Sequence, residues 1–276
     1  MAELEYTLTR DTVFKILFAN NENLLKRLIA ELLSIEYDSI EHFFITNPEI
    51  FPESLDEKFC RLDINMIVNG QIIDLEVQVA DEGDYRERSL YYWAKVFSST
   101  IKMGGKYSQL PRTIVISILA FNLFDCKEFH SEFRALEITR YTELTDRMSL
   151  HYYELPKLPE SMDVNNILGL WLKLFSAKTE EELAKIDALE VPVMSEAIKA
   201  YQRVLTSAKL RELERLREKA SHDEAQALHN AEQKGARDER KLWESVVVEK
   251  DATINEKNAE IEALQIQLHK LNKQKS

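Results

Sequence analysis

Residues 61–79 read RLDINMIVNGQIIDLEVQV, which is two β-rich runs joined by Asn69-Gly70. An Asn-Gly pair between such runs is a strong signal for a β-hairpin, because a type I′ turn needs a positive φ at both central residues. If these two residues form the loop, the runs pair directly across it, and Asp63 on the first strand faces Glu76 on the second. The stretch therefore predicts a hairpin with two facing carboxylates.

Side chains alternate between the two faces of a β-strand, so this register sorts the hairpin into an apolar face and a polar face. The predicted apolar face consists of Leu62, Ile64, Met66, Val68, Ile73, Leu75, Val77 and Val79. The predicted polar face consists of Asp63, Asn65, Ile67, Ile72, Asp74, Glu76 and Gln78. The hairpin is thus expected to pack one face on a core and to present three carboxylates and two carboxamides on the other.

The facing pair of Asp63 and Glu76 favours a metal site. Directly opposite residues have Cβ atoms about 4.5–5.5 Å apart, and like charges at that distance are destabilising. A hard divalent cation removes the repulsion, and Mg²⁺ commonly binds through one or two carboxylates together with waters and phosphate oxygens. The alternative is a half-exposed hairpin whose polar face contacts only water.

The composition is typical of a globular chain. Of the 276 residues, 45% are apolar and 30% are charged, which is enough to build one or two domains with a hydrophobic core. No apolar run approaches the roughly 20 residues that span a bilayer, and the first residues lack the pattern of a signal peptide. Cys60 and Cys126 form no metal-ligand pattern. These features predict a cytoplasmic protein without a membrane segment.

The charge balance argues against simple electrostatic binding of DNA. The formal net charge is −12, and residues 209–276 carry 14 basic and 14 acidic residues, so the whole excess lies in residues 1–208. A nucleic-acid binder usually has a basic balance or a basic patch. Affinity for DNA would therefore have to come from local basic clusters, from bridging metal ions or from an activated or assembled state.

Outside the hairpin, apolar periodicity predicts the other elements of an α/β fold. The expected helices cover residues 11–18, 24–33, 84–102, 164–176 and 180–189, with further helix from about 193, and the expected strands cover 113–120 and 149–155. The predicted organisation is a mixed-sheet domain over residues 1–160, a helical extension over 161–208 and a long helix over 209–276.

The end of the long helix shows a heptad pattern. Position a holds Val247, Ile254, Ile261 and Leu268, and position d holds Lys250, Lys257, Leu264 and Leu271. Only the last two heptads are apolar at both positions, so the pattern predicts a short coiled coil. Ile or Val at position a with Leu at position d favours two strands, which predicts a homodimer.

Five motifs occur in a fixed order along residues 6–160. They are Asp11-x-x-Phe14-Lys15-x-x-Phe18, Lys58-x-x-Arg61-x-Asp63, Asp74-Leu75-Glu76-Val77-Gln78, Arg88-x-x-Tyr91-Tyr92 and Gly105-x-Tyr107-x-x-Leu110-Pro111. Together they resemble the Rpn family of bacterial recombination-promoting nucleases and transposases, within the PD-(D/E)XK nuclease superfamily. The resemblance implies a restriction-endonuclease-like core, with a central mixed sheet flanked by helices.

The resemblance also implies an activity and the residues that carry it. The expected function is Mg²⁺-dependent DNA endonuclease activity, with Mn²⁺ as a substitute, in recombination or mobile-element biology. Asp63 and Glu76 would hold the metal, and Gln78 stands where the superfamily usually has a lysine that orients or activates the attacking water. Because glutamine lends no positive charge, the metal must contribute more of the activation.

Six further residues are secondary candidates. Asp11, Lys15 and Asp74 are possible accessory residues; Asp11 is alternatively a helix N-cap and Lys15 a solvated lysine. The candidate contacts to DNA phosphates are Arg88, Tyr92 and Lys95. The alternative for that helix is an amphipathic element that packs Leu90, Trp93, Ala94 and Phe97 inward. His42, His130 and His151 are expected to be isolated structural residues.

Two other functions remain open at this stage. One is a non-catalytic interaction protein that keeps the fold and self-associates through residues 240–276, which the acidic balance and Gln78 favour. The other is a transposase-like DNA-joining protein, although the sequence contains no recognisable helix-turn-helix.

Overall fold

The computed structural model describes residues 2–46, 49–50, 60–61, 63–101, 105–161 and 163–274. Lys58 of the predicted motifs and Leu62 of the predicted apolar face lie outside these residues. The chain forms two compact units, Met1–Leu213 and Glu214–Ser276. The sequence predicted three segments, with boundaries at residues 160 and 208. That division stays a prediction.

The first unit is built on a mixed six-stranded sheet. The described strands are β1 (Phe43–Ile45), β2 (Glu49–Ile50), β3 (Cys60–Arg61), β4 (Ile64–Val68), β5 (Gln71–Gln78), β6 (Thr113–Leu119), β7 (His130–Phe133) and β8 (Met148–Glu154). The order of strands in the sheet is β1-β4-β5-β6-β8-β7. The pairs β1-β4 and β4-β5 are antiparallel, the pairs β5-β6 and β6-β8 are parallel, and β7 lies antiparallel beside β8. A separate antiparallel pair joins β2 to β3.

Helices cover both faces of the sheet. The described α-helices of the first unit are α1 (Asp11–Asn20), α2 (Glu22–Leu33), α3 (Tyr85–Ser99), α4 (Ile167–Ser176), α5 (Glu180–Asp187) and α6 (Pro192–Leu205). Apolar residues of α1, α2, α4, α5 and α6 form the main core against one sheet face, where they meet Ile73, Leu75 and Ile116. A smaller core, with Tyr85, Val115 and Tyr152, lies on the α3 side.

The apolar face of the central hairpin is confirmed with one correction. Every described member of the predicted set from Ile64 to Val77 is buried in the main core. Val79 is 61% exposed, because β5 ends at Gln78 and the alternation ends with it.

The alternative of a water-exposed polar face is wrong. Asn65, Asp74 and Glu76 are buried, because β5 is an inner strand of the sheet and α3 lies on the same side.

The residues that α3 turns inward differ from those predicted. Its buried residues are Tyr85, Ser89 and Val96, with Trp93 and Phe97 half-buried and Leu90 and Ala94 exposed.

Helix α7 runs over Ala208–Gln274, and its part from Glu214 onwards forms the second unit. The heptad residues Val247, Ile254, Ile261 and Leu264 are exposed along it. The side chains of Leu268 and Leu271 are not among those described, and the coiled coil stays a prediction. Throughout the described part of the chain, no helix combines the length and apolarity needed to cross a membrane.

Candidate active site

The hairpin turn has the geometry that its sequence predicts. Asn69 and Gly70 have φ values of 48° and 78°, and Val68 pairs with Gln71 across them. The side chain of Asn69 also accepts hydrogen bonds from the backbone N–H groups of Glu41 and His42 at 3.0 Å each. Asparagine tolerates the left-handed region and here ties the turn to the preceding loop, so the register of the whole hairpin is fixed at this point.

Asp63 and Glu76 are held together by reciprocal hydrogen bonds. The register places Ile64 opposite Leu75, and one step further the backbone N–H of Asp63 donates to Glu76 Oε1 at 2.9 Å. In return, the backbone N–H of Val77 donates to Asp63 Oδ2 at 2.9 Å. Each carboxylate thus accepts a hydrogen bond from the backbone of the segment that carries the other, which holds the two side chains together.

Burial makes the negative charge of this site costly. Glu76 is 2% exposed and Asp74 is 0% exposed. Burial, together with the nearby Asp63 carboxylate, raises the pKa of Glu76 to about 8. Burial also raises the pKa of Asp74 well above its ordinary value, with the charges of Glu76 and Asp63 adding to the effect. Neither carboxylate oxygen of Asp74 has a hydrogen-bond partner among the described residues.

Helix α1 contributes a cation to the carboxylates. Lys15 Nζ lies 3.1 Å from Asp63 Oδ1 and 2.6 Å from Asp11 Oδ1. The alternative of a solvated Lys15 is therefore wrong. The alternative of an Asp11 N-cap is also wrong, because the N-cap position is Arg10 and Asp11 is the first residue of the helix. Burial raises the pKa of the Asp63 carboxyl, and the ammonium of Lys15 opposes that shift.

Helix α3 contributes a second cation. Nη2 of Arg88 donates to Gln78 Oε1 at 2.8 Å, and Gln78 Nε2 lies 3.4 Å from Glu76 Oε2. Arg88 Nη1 is also 3.7 Å from a carboxylate oxygen of Glu82. The sequence marked Arg88 as a phosphate contact but carried no sign that it binds Gln78.

The other two candidate phosphate contacts lie further along α3. Tyr92 packs with Val96 and Ile72 in a small apolar cluster, and Lys95 is half-buried on the same helix. Their role towards DNA stays a prediction.

Behind the carboxylates lies a polar layer that the sequence analysis missed. Ser117 of β6 is in register with Glu76 and accepts a hydrogen bond from the buried hydroxyl of Tyr85 at 2.9 Å. One turn along α3, Ser89 bonds the hydroxyl of Tyr152 at 2.6 Å. The signal for Ser117 was its polar side chain in the middle of the apolar run of β6.

The described histidines are not all isolated, as the sequence had suggested. His130 of β7 and His151 of β8 stack on adjacent strands, with Nε2 and Nδ1 3.1 Å apart. Ser149 bonds both His151 and Glu132. The register puts this cluster on the sheet face opposite Glu76, so it does not contribute to the carboxylate site.

The donor set fits a divalent cation. The carboxylates of Asp11, Asp63, Asp74 and Glu76 outnumber the two cations beside them, Lys15 and Arg88, and Arg88 is also paired with Glu82. Ionisation of these carboxylates would leave an excess of negative charge, which a divalent ion would reduce. Among the described residues no group of three or more His, Cys, Asp or Glu side chains could hold a metal. The remaining candidate ligands are the two facing carboxylates of Asp63 and Glu76. This number is sufficient, because Mg²⁺ commonly binds through one or two carboxylates.

A mixed sheet flanked by helices, with paired Asp and Glu carboxylates on its central hairpin, defines a PD-(D/E)XK nuclease-like fold, and the predicted fold class is confirmed. The chain belongs to a family described as PD-(D/E)XK nuclease family transposase, whose model matches residues 8–231. No curated protein and no solved structure matches the chain. Membership supports a nuclease-like or transposase-like role, with DNA as the partner and a divalent metal as the usual cofactor of such nucleases.

Proposed function

We propose that the protein is a Mg²⁺-dependent DNA endonuclease, able to use Mn²⁺, that acts in recombination or in the biology of mobile elements. The observation that carries the proposal is the reciprocal anchoring of Asp63 and Glu76, which holds a half-buried and a buried carboxylate face to face. Placing two carboxylates beside each other with little access to water is destabilising, and a purely structural hairpin has no need of that arrangement.

The residues of the site have distinct roles in this proposal. Asp63 and Glu76 would hold the metal, which when bound lowers the pKa of its water and stabilises the charge that develops on the phosphate. Gln78 donates a hydrogen bond that orients the attacking water. Lys15 balances the charge of Asp63 and Asp11, and Asp74 adds negative charge behind the pair.

Cleavage of supercoiled plasmid with and without Mg²⁺ or Mn²⁺ tests the proposal. The parent protein is expected to nick the plasmid only with metal, and Asp63→Ala is expected to abolish nicking while the fold is retained. Asp38→Ala is the matched control, because it removes the same charge from an exposed position. Equal cleavage by Asp63→Ala and the parent would show that the active residues lie elsewhere.

Other features belong to the same proposal. Within the matched family, we assign the chain to the narrower Rpn family that its motifs resemble. We also propose that the protein is cytoplasmic and that it forms a homodimer through α7. Tyr92 and Lys95 remain the proposed phosphate contacts, whereas the third candidate, Arg88, bonds Gln78 instead.

A non-catalytic interaction protein is the second candidate, and the net charge of −12 together with Gln78 in place of lysine favours it. Calorimetry separates the two functions, because a scaffold has no reason to bind Mg²⁺ or Mn²⁺. Metal binding that Asp63→Ala removes would argue against the scaffold even before a DNA substrate is known.

A further inference from the structure

The side-chain amide of Gln78 lies between a donor and a carboxylate. Its Oε1 accepts from Arg88 at 2.8 Å, and its Nε2 lies 3.4 Å from Glu76 Oε2. The two ends of an amide have nearly the same shape, so their assignment depends on hydrogen-bonding partners. A guanidinium has five N–H donors and no acceptor, so the end that faces Arg88 is the carbonyl oxygen. The NH₂ end therefore faces Glu76.

Arg88 is itself held on several sides. It is 19% exposed, and its guanidinium lies over the ring of Tyr85 at 4.9 Å. The Tyr85 hydroxyl is bonded to Ser117, and Glu82 is 3.7 Å from the other end of the guanidinium. Because the planar guanidinium is already stacked and bonded, little further freedom is lost when it holds Gln78.

We infer that Arg88 is a positioning residue that fixes the amide of Gln78 with its NH₂ group towards the metal-binding carboxylates. Gln78 then presents a hydrogen-bond donor where the superfamily usually presents a lysine, whose side chain has only donors. A rotated amide would instead direct a carbonyl oxygen at Glu76 and could not donate to the attacking water. This inference rests on the proposed nuclease function and gives Arg88 a task other than holding a phosphate.

The two tasks of Arg88 have different kinetic consequences. Loss of a phosphate contact weakens DNA binding for all sequences and reduces the slope of log affinity against log salt by about one. Loss of a positioning residue slows turnover at saturating DNA and leaves binding and its salt dependence unchanged.

The experiment measures kcat and DNA affinity for the full-length chain and for Arg88→Ala, Gln78→Lys and the double variant. Arg88→Ala is expected to lower kcat by about 10- to 100-fold, the scale of a slightly misplaced catalytic group. In the Gln78→Lys background the same change is expected to cost less than about threefold, because lysine has no carbonyl for Arg88 to hold. Arg86→Ala is the matched control, because this arginine of α3 has other contacts. Its guanidinium donates a hydrogen bond to the backbone carbonyl of Leu123 and stacks on the ring of Phe124.

Equal losses in both backgrounds would overturn the inference, as would a loss confined to DNA affinity. A second readout does not depend on activity. The side-chain ¹H–¹⁵N amide signals of Gln78, identified by their absence in Gln78→Lys, are expected to shift and to become more mobile in Arg88→Ala but not in Arg86→Ala. If they are unchanged in Arg88→Ala, the inference is wrong even when the parent cleaves DNA. If they change but the parent cleaves no DNA with metal, the positioning contact stands and the proposed function fails.

Discussion

At the scale of the residue, Glu76 shows the conflict between stability and function. Its side chain is buried, it bonds the backbone of Asp63, and its pKa of about 8 reflects the cost of carrying a charge there. A proposed metal ligand must be deprotonated, so the state that function needs is the state that the metal-free fold disfavours. Residues held in this way are expected to lower stability in exchange for activity.

Replacing Glu76 with glutamine should therefore stabilise the metal-free protein. The folded-state pKa of about 8 lies above the ordinary value of 4.5, so between these pH values the folded state binds more protons than the unfolded state. The free energy of unfolding of the parent protein therefore falls as the pH rises from 4.5 to about 8. Glutamine cannot ionise, yet its Oε1 can still accept from Asp63. We expect Glu76→Gln to raise the free energy of unfolding by about 1–3 kcal/mol at pH 8 and by less at pH 5.

Denaturant unfolding at the two pH values measures this effect. Glu196→Gln, at an exposed position of α6, is the matched control and should change little at either pH. A variant less stable than the parent at pH 8 would mean that the hydrogen bond from Asp63 needs the carboxylate.

At the scale of the element, the strand pair β7–β8 holds an acid-sensitive cluster. Burial lowers the pKa of His151 to about 4, with His130 adding to the shift and Glu132 opposing it. Burial also lowers the pKa of His130. Both histidines are thus neutral in the fold at neutral pH, and they share one hydrogen bond between adjacent strands.

The fold should lose stability in mild acid because of this pair. The folded-state pKa of His151 lies below the ordinary 6.5, so its stabilising effect is fully present above pH 6.5 and is lost as the pH falls from 6.5 towards 4. We expect His151→Gln to remove about 2 kcal/mol of the pH dependence between pH 7 and 4. The measurement is the free energy of unfolding across that range, with the exposed His42→Gln as control. Identical pH profiles for the parent and His151→Gln would refute the assignment.

At the scale of the whole molecule, an acidic chain carries a long helix with an exposed apolar stripe. The net charge of −12 lies in residues 1–208, whereas α7 is neutral and exposes Val247, Ile254 and Ile261. Self-association through this stripe would bring two acidic domains together, so it must be strong enough to oppose their repulsion.

A chain that ends after Arg240 is expected to lose most self-association while it keeps its fold and its metal binding. On the proposed function, two nuclease domains held together would make paired nicks, so the shorter chain should favour single-strand nicks over double-strand breaks. Sedimentation at several concentrations measures the assembly.

Point variants of the full-length chain test the same interface without removing any residues. Ile261→Asp places a charge at position a and should dissociate the oligomer, whereas Ala259→Asp, at the outward position f, should not. If the shorter chain sediments as the full-length oligomer does, the interface lies outside residues 241–276.

The sequence alone determined the hairpin, its register and the facing Asp63 and Glu76, because these depend on local physics. Positive φ at Asn69-Gly70 selects the turn, and alternation then assigns every neighbouring side chain to a face. Several helices and strands were also predictable to within a few residues, because their periodicity or apolar runs are strong. The short strands β1, β2 and β7 were missed, because runs of two to four residues are too short to show alternation.

Only the tertiary structure decided what surrounds the carboxylates. The polar face reads as solvent-exposed until α3 covers it, and no pattern in β5 encodes that packing. Lys15 and Arg88 come from helices before and after the hairpin, and their contacts with Asp63 and Gln78 depend on how those helices dock. Electrostatic pairing of this kind is set by distance and burial in space, which the order of residues along the chain does not specify.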